Sequence, residues 1–172
     1  KRGDNTEEYQ NIYHEYMLEC FKRHPFMWGN YVWNMFDFAA EARNQGGEPG
    51  MNHKGLVTFD RKTKKDSFYL YKAYWNKDDA FVYIANRRFT YRKKNQQTIT
   101  VYSNQKEVSL YLNGNLVETK KGENVFKFKV TLNDGENKGR QELETVGSGK
   151  GYYITNGKAV EISWAKDGRT NK

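Results

Sequence analysis

The 172-residue chain predicts a mainly β protein, an immunoglobulin-like β-sandwich preceded by a helix-strand-helix unit. Three observations carry this. From Ala80 onward, apolar residues recur with period two in short runs separated by turn residues. Before Ala80, two segments (5–23 and 63–75) show helical spacing. Between them lies PFMWGNYVWNMFDF (25–38), a nearly unbroken apolar run with Trp28 and Trp33, closing on Asp37. A half-exposed strand alternates polar and apolar residues. This run does not, so it reads as a strand covered on both faces, as in a parallel sheet.

In the first helix, Asn5 is the expected cap and Glu8 completes a capping box. Tyr9, Ile12, Tyr13, Tyr16, Met17 and Cys20 form one apolar stripe, read as a packing face. Glu7 and Glu8 near the start and Lys22, Arg23 and His24 at the end suit the helix dipole. Pro25 stops the helix. After the apolar run, Ala39 to His53 reads as a polar, Gly-rich loop, long enough to suggest function. Gly55 to Phe59 is a short extended piece. Thr63 opens the second helix, which runs to Trp75 with Asp66 at the capping-box position. A lone doubly buried strand needs neighbours, so this unit reads as the remnant of a (β/α)8 barrel. The expected domains are 1–77 and 78–172.

The second domain begins with Phe81, Tyr83 and Ala85 alternating with Val82 and Ile84. TITVYS (98–103), EVSLYL (107–112), VFKFKVTL (125–132), ELETVG (142–147) and AVEISW (159–164) follow as strands. Asn113-Gly114 between Leu112 and Leu116 signals a hairpin. Six or seven short strands with regular turns suit a disulfide-free immunoglobulin-like sandwich.

Aromatic residues make up 16% of the chain, which favours a large aromatic core or a surface that stacks flat ligands. The net charge is +8, but the basic clusters Arg61 to Lys65 and Arg87 to Lys94 are short and acids are interleaved with the cations. That pattern describes a solvated surface rather than a nucleic-acid site. Cys20 has no partner for an internal disulfide. The longest apolar run is too short and too polar to span a bilayer, so no membrane partner is expected. His14, His24 and His53 lack ligand-like spacing with one another or with Cys20, so no metal site is expected; no cofactor is expected either.

Three segments, TEEYQNIYHEYM (6–17), WGNYVWNMFDFA (28–39) and GMNHKGLVTFDRKTKKDSFYLYKAYW (50–75), resemble the end of the catalytic barrel of glycoside hydrolase family 2, the β-galactosidase and β-glucuronidase family. They keep the family's order. IANRRF, VYSN and LYLNGN resemble, more loosely, the sandwich that follows the barrel. The resemblance implies a retaining exo-glycosidase, whose two catalytic glutamates stand about 5 to 5.5 Å apart. In the family both lie on earlier barrel strands. Glu7, Glu8, Glu15 and Glu19 fall on a helix and Glu41 and Glu48 in the loop, so no catalytic residue is expected here and the chain alone is expected to be inactive.

Four residues are implied at a substrate site. Trp33 is either a wall of the sugar site or a core tryptophan. Asn52 and Lys54 form an N-x-K motif, which in glucuronidases resembles the reader of the sugar carboxylate; Lys54 equally reads as a loop surface charge. The family's glucuronidases place an Arg four residues before the Asn, and Glu48 stands there instead. A repelling acid favours a neutral β-galactoside over a glucuronide. Asp37 binds a sugar hydroxyl, orders the site loop or caps the strand end. The expected partners are the remainder of a parent enzyme chain and a β-galactoside or related glycan, with self-association through the uncovered barrel segment. A different reading is a non-catalytic carbohydrate-binding or structural sandwich, with Tyr152-Tyr153 as its candidate patch.

Overall fold

The computed structural model describes residues 5–89, 92, 94–133, 139–143, 149–155, 158–164 and 170–171. The chain forms two compact units, Lys1–Leu70 and Tyr71–Lys172, so the second helix crosses the boundary between them.

In the first unit, α1 spans Glu7–Arg23. Its cap is Thr6 rather than Asn5: Thr6 Oγ1 accepts a bond from Tyr9 N at 3.3 Å. The third residue beyond this cap is Tyr9, so the expected capping box does not form. The expected apolar stripe points outward, with Ile12 and Tyr16 62% and 67% exposed, while Asn11, His14 and Leu18 are buried. Polar anchors set this orientation. Gln10 Nε2 donates to the carbonyls of Lys54 and Gly55, and Asn11 Nδ2 to Asp66 Oδ2 at 3.0 Å. Glu7 Oε1 accepts from Asp66 N.

Burial pushes the His14 imidazole down from 6.5 to about 4. A base whose folded pKa is depressed contributes full stability above its unfolded value and loses it as pH falls through the folded one. The stability of this unit is therefore expected to decline from pH 6.5 towards about 4. Thermal unfolding across that window should show the decline, and His14→Gln should flatten it.

The apolar run differs from the expected doubly buried strand. Phe26, Trp28, Tyr31 and Trp33 are exposed, Trp28 at 95%. Only the end of the run pairs. Leu56 N and Val57 N donate to the carbonyls of Asn34 and Met35, and Asp37 N donates back to Val57 O. The resulting Phe36–Val57 bridge is parallel. Covering both faces of a strand needs neighbours on both sides, and this unit supplies one short neighbour.

The expected loop from Ala39 to His53 is instead a β-hairpin. β1 (Phe38–Gln45) pairs antiparallel with β2 (Glu48–Asn52). Gly46 and Gly47 turn it at φ 63° and 81°, the positive values that a two-residue hairpin turn requires at both central positions. The chain then passes through the extended 55–58 segment, which bridges back to Lys64. The second helix, α2, is Asp66–Trp75, beginning three residues later than Thr63.

In the second unit, β3 (Val82–Ile84), β4 (Gln96–Ser103) and β7 (Asn124–Thr131) form one antiparallel sheet. β5 (Glu107–Leu112) and β6 (Asn115–Lys121) join β8 (Gly139–Leu143), β9 (Gly149–Thr155), β10 (Lys158–Trp164) and β11 (Thr170–Asn171) in a second, ordered β11-β10-β9-β8-β5-β6. Val82, Ile84, Ile99, Val101, Val108, Leu110, Phe126, Phe128 and Val130 form the core. Strands of both sheets contribute, as in a β-sandwich. β7 follows its sequence pattern, with Phe126, Phe128 and Val130 buried and Lys127, Lys129 and Thr131 exposed. β3 does not alternate in burial: Phe81, Tyr83 and Ala85 are covered as well as Val82 and Ile84. Lys72 lies over the Phe81 ring and Arg87 over the Tyr83 ring, at 4.8 and 4.6 Å. Asn113 and Gly114 make the expected turn between β5 and β6, with φ 53° and 85°. Tyr152 and Tyr153 pair through their backbones with Glu161 and Val160, and their side chains lie outside the described residues.

Candidate functional site

The first unit gathers Trp33, Asp37, Asn52 and Lys54 around the end of the apolar run and the turn that leaves β2. Asp37 is the buried centre, 2% exposed. Its Oδ1 accepts from Gly55 N at 2.9 Å and from Lys65 Nζ at 2.7 Å. Its Oδ2 lies 3.5 Å from His53 Nδ1. Lys65 Nζ also donates to the His53 carbonyl at 3.0 Å. One carboxylate and one ammonium thus fasten the 52–55 turn to the end of the apolar run and to the start of α2. Charge-assisted bonds of this kind are the strong ones.

Backbone contact makes the junction close. A Cβ on Gly55 would lie 2.0 Å from Asp37 N and 2.1 Å from the Phe36 carbonyl carbon, so only glycine fits. Arg61 stacks over the Phe36 ring at 4.2 Å.

Asn52 is buried, and its Oδ1 accepts from Lys54 N at 3.1 Å, an Asx turn. Lys54, two residues on, is exposed. Trp33 is 71% exposed and meets Phe38 edge-on, with ring centroids 6.3 Å apart. The Trp33–Asn34 peptide is cis. Trp33 and Lys54 are thus an exposed indole and an exposed side-chain ammonium flanking this hydrogen-bonded junction in the sequence. Such groups bind the apolar face of a sugar ring and an anionic or hydroxyl substituent, respectively.

His53 and Lys65 belong to this cluster, although the sequence marks them only as an isolated histidine and as part of a basic run. The signal present was the glycine directly after the N-x-K motif. Among the described residues, no group of three or more His, Cys, Asp or Glu is arranged to hold a metal ion.

The fold and its relatives define a glycoside-hydrolase-like chain. It is 43% identical over 137 residues to a β-glucuronidase of Bacteroides fragilis, a match covering 77% of this chain and 20% of that protein. It superposes on a crystal structure of an FMN-binding β-glucuronidase from Facaelibacterium prausnitzii L2-6 with a TM-score of 0.81 and 50% identity, covering 89% of this chain and 23% of that one. A crystal structure named "putative beta-galactosidase from bacteroides fragilis" matches with a TM-score of 0.72 and 40% identity, covering 92% and 23%. The chain belongs to the family described as protein of unknown function (DUF3048) C-terminal domain, whose model matches residues 74–172. It spans about a fifth of the length of the curated relatives it matches.

Proposed function

We propose that this chain is the C-terminal part of a retaining exo-glycosidase of glycoside hydrolase family 2. In this reading residues 1–77 are the last helix-strand-helix of a (β/α)8 barrel and residues 78–172 an immunoglobulin-like sandwich. Trp33 and Lys54 form one edge of the sugar site, Asn52 shapes the turn that presents Lys54, and Asp37 positions that turn rather than touching the sugar. The observation that carries the reading is the 50% identity to a β-glucuronidase over 89% of the chain. The uncovered Trp28, Tyr31 and α1 tyrosines then face the remainder of the parent chain, and self-associate when it is absent.

A terminal β-glucuronide is the first substrate proposed. Glu48 in the sequence favours a galactoside because it would repel a carboxylate, but Glu48 Oε2 lies 2.9 Å from His53 Nε2, a hydrogen-bond partner that holds it. The second reading is a β-galactoside, favoured by the likeness to the galactosidase-named structure.

Neither catalytic glutamate is proposed in this chain: Glu7, Glu8, Glu15 and Glu19 lie on α1 and Glu41 and Glu48 on the hairpin. The test is release of nitrophenol from para-nitrophenyl β-glucuronide and β-galactoside. The parent enzyme is expected to turn over one of them and the 172-residue chain neither. Robust turnover by the chain alone would sink the reading.

A further inference from the structure

His53 has a partner at every polar atom. Its backbone N–H donates to Gln45 Oε1 at 2.7 Å and its carbonyl accepts from Lys65 Nζ at 3.0 Å. Its Nδ1 faces the buried Asp37 Oδ2 at 3.5 Å and its Nε2 the Glu48 Oε2 at 2.9 Å. The ring is 27% exposed and Glu48 58%. Nε2 is within hydrogen-bond reach of the Glu48 carboxylate, while Nδ1 approaches Asp37 more loosely. The charged groups around the ring are therefore Asp37, Lys65 and Glu48, from the apolar run, the residue before α2 and the start of β2.

From this we infer that His53 is a specificity-determining positioning residue: its ring lies between Glu48 and the buried Asp37 and holds the Glu48 carboxylate by Nε2, beside the turn that presents Lys54. The inference rests on the glycosidase reading and deepens it. Glu48 stands four residues before Asn52. Uncompensated, its carboxylate would compete for the Lys54 ammonium and repel an anionic sugar, while a neutral sugar would be indifferent to it. With His53 in place, a site containing an acid at this position becomes compatible with a glucuronide.

The experiment uses the parent enzyme carrying His53→Ala, Glu48→Gln or both, with kcat and KM measured on para-nitrophenyl β-glucuronide and β-galactoside. His53→Ala is expected to raise the glucuronide-to-galactoside KM ratio roughly tenfold, the effect of one unpaired charge in a half-solvated site. The change should fall in KM, with kcat for the glucuronide within about twofold, because the ring touches no reacting atom. Adding Glu48→Gln should restore the ratio. An unchanged ratio, an equal loss on both glycosides, or no rescue by Glu48→Gln overturns the inference. A wild-type parent inactive on both glycosides overturns the glycosidase reading and the specificity role with it. The bridge has its own readout in nitrogen-15 imidazole spectra of the chain. A hydrogen-bonded Nε2–H signal from His53 is expected, and should be lost in Glu48→Ala; its absence from the wild-type chain overturns the bridge.

Discussion

Asp37→Ala is expected to destabilise the first unit by about 3–5 kcal/mol, the range for removing one partner of a buried ion pair. Asp37 is 2% exposed and the Lys65 side chain 12%, so solvent replaces little of the lost carboxylate. Of the bonds described for the Lys65 ammonium, the change leaves the one to the His53 carbonyl, and it leaves Gly55 N–H without its acceptor. An unpaired, mostly covered cation and an unpaired buried donor both carry desolvation costs that the bonds had offset. Hydrogen exchange should report the loss at the amides of Gly55, Leu56 and Val57, which join the turn to the apolar run. Asp37→Asn keeps an acceptor for Gly55 but leaves Lys65 uncompensated, so it should fall between the two. Adding Lys65→Met to Asp37→Asn should recover part of the difference, because the orphaned charge is then gone. Unchanged protection in Asp37→Ala would mean that the cluster does not hold the turn.

Phe128→Ala should cost the sandwich about 3–5 kcal/mol, through lost burial and the cavity left behind. Phe128 is 0% exposed at the centre of β7, opposite Ile99 of β4. Its neighbours on the same face, Phe126 and Val130, belong to the same core, which is closed on its other side by Val108 and Leu110 of β5. A drop in the urea midpoint of the chain, followed by far-ultraviolet circular dichroism, measures this. Lys127→Ala, one residue away on the exposed face, should change the stability by less than about 0.5 kcal/mol. Similar costs for the two variants would contradict the assigned faces.

The contrast between Phe128 and Lys127 also explains why the sandwich was legible in the sequence. Alternation over VFKFKVTL encodes both the strand and its buried face, and Asn113-Gly114 encodes a turn. The 39–53 hairpin was not legible in the same way. β1 is exposed along most of its length, so no apolar alternation marks it, and its only local signal is Gly46-Gly47. β9 begins Gly-Lys-Gly, which hides a strand for a similar reason. In α1 the apolar stripe was real as a pattern, yet polar bonds from Gln10 and Asn11 turn the opposite face inward. Periodicity gives a helix and its stripe, but not which partner is present to cover the stripe. The candidate site was half legible. Trp33, Asn52 and Lys54 could be singled out from a resemblance, whereas the Asp37–His53–Lys65 cluster joins residues 12 to 28 positions apart and leaves no local pattern.

In the proposed reading, the Asn52–Lys54 turn presents a sugar-reading ammonium in a parent glycosidase. The most direct measurement is kcat/KM of that parent on para-nitrophenyl β-glucuronide, with and without Lys54→Met. Loss of one charge-assisted bond to the sugar carboxylate should lower kcat/KM by about 100-fold. An unchanged kcat/KM in Lys54→Met would contradict the account.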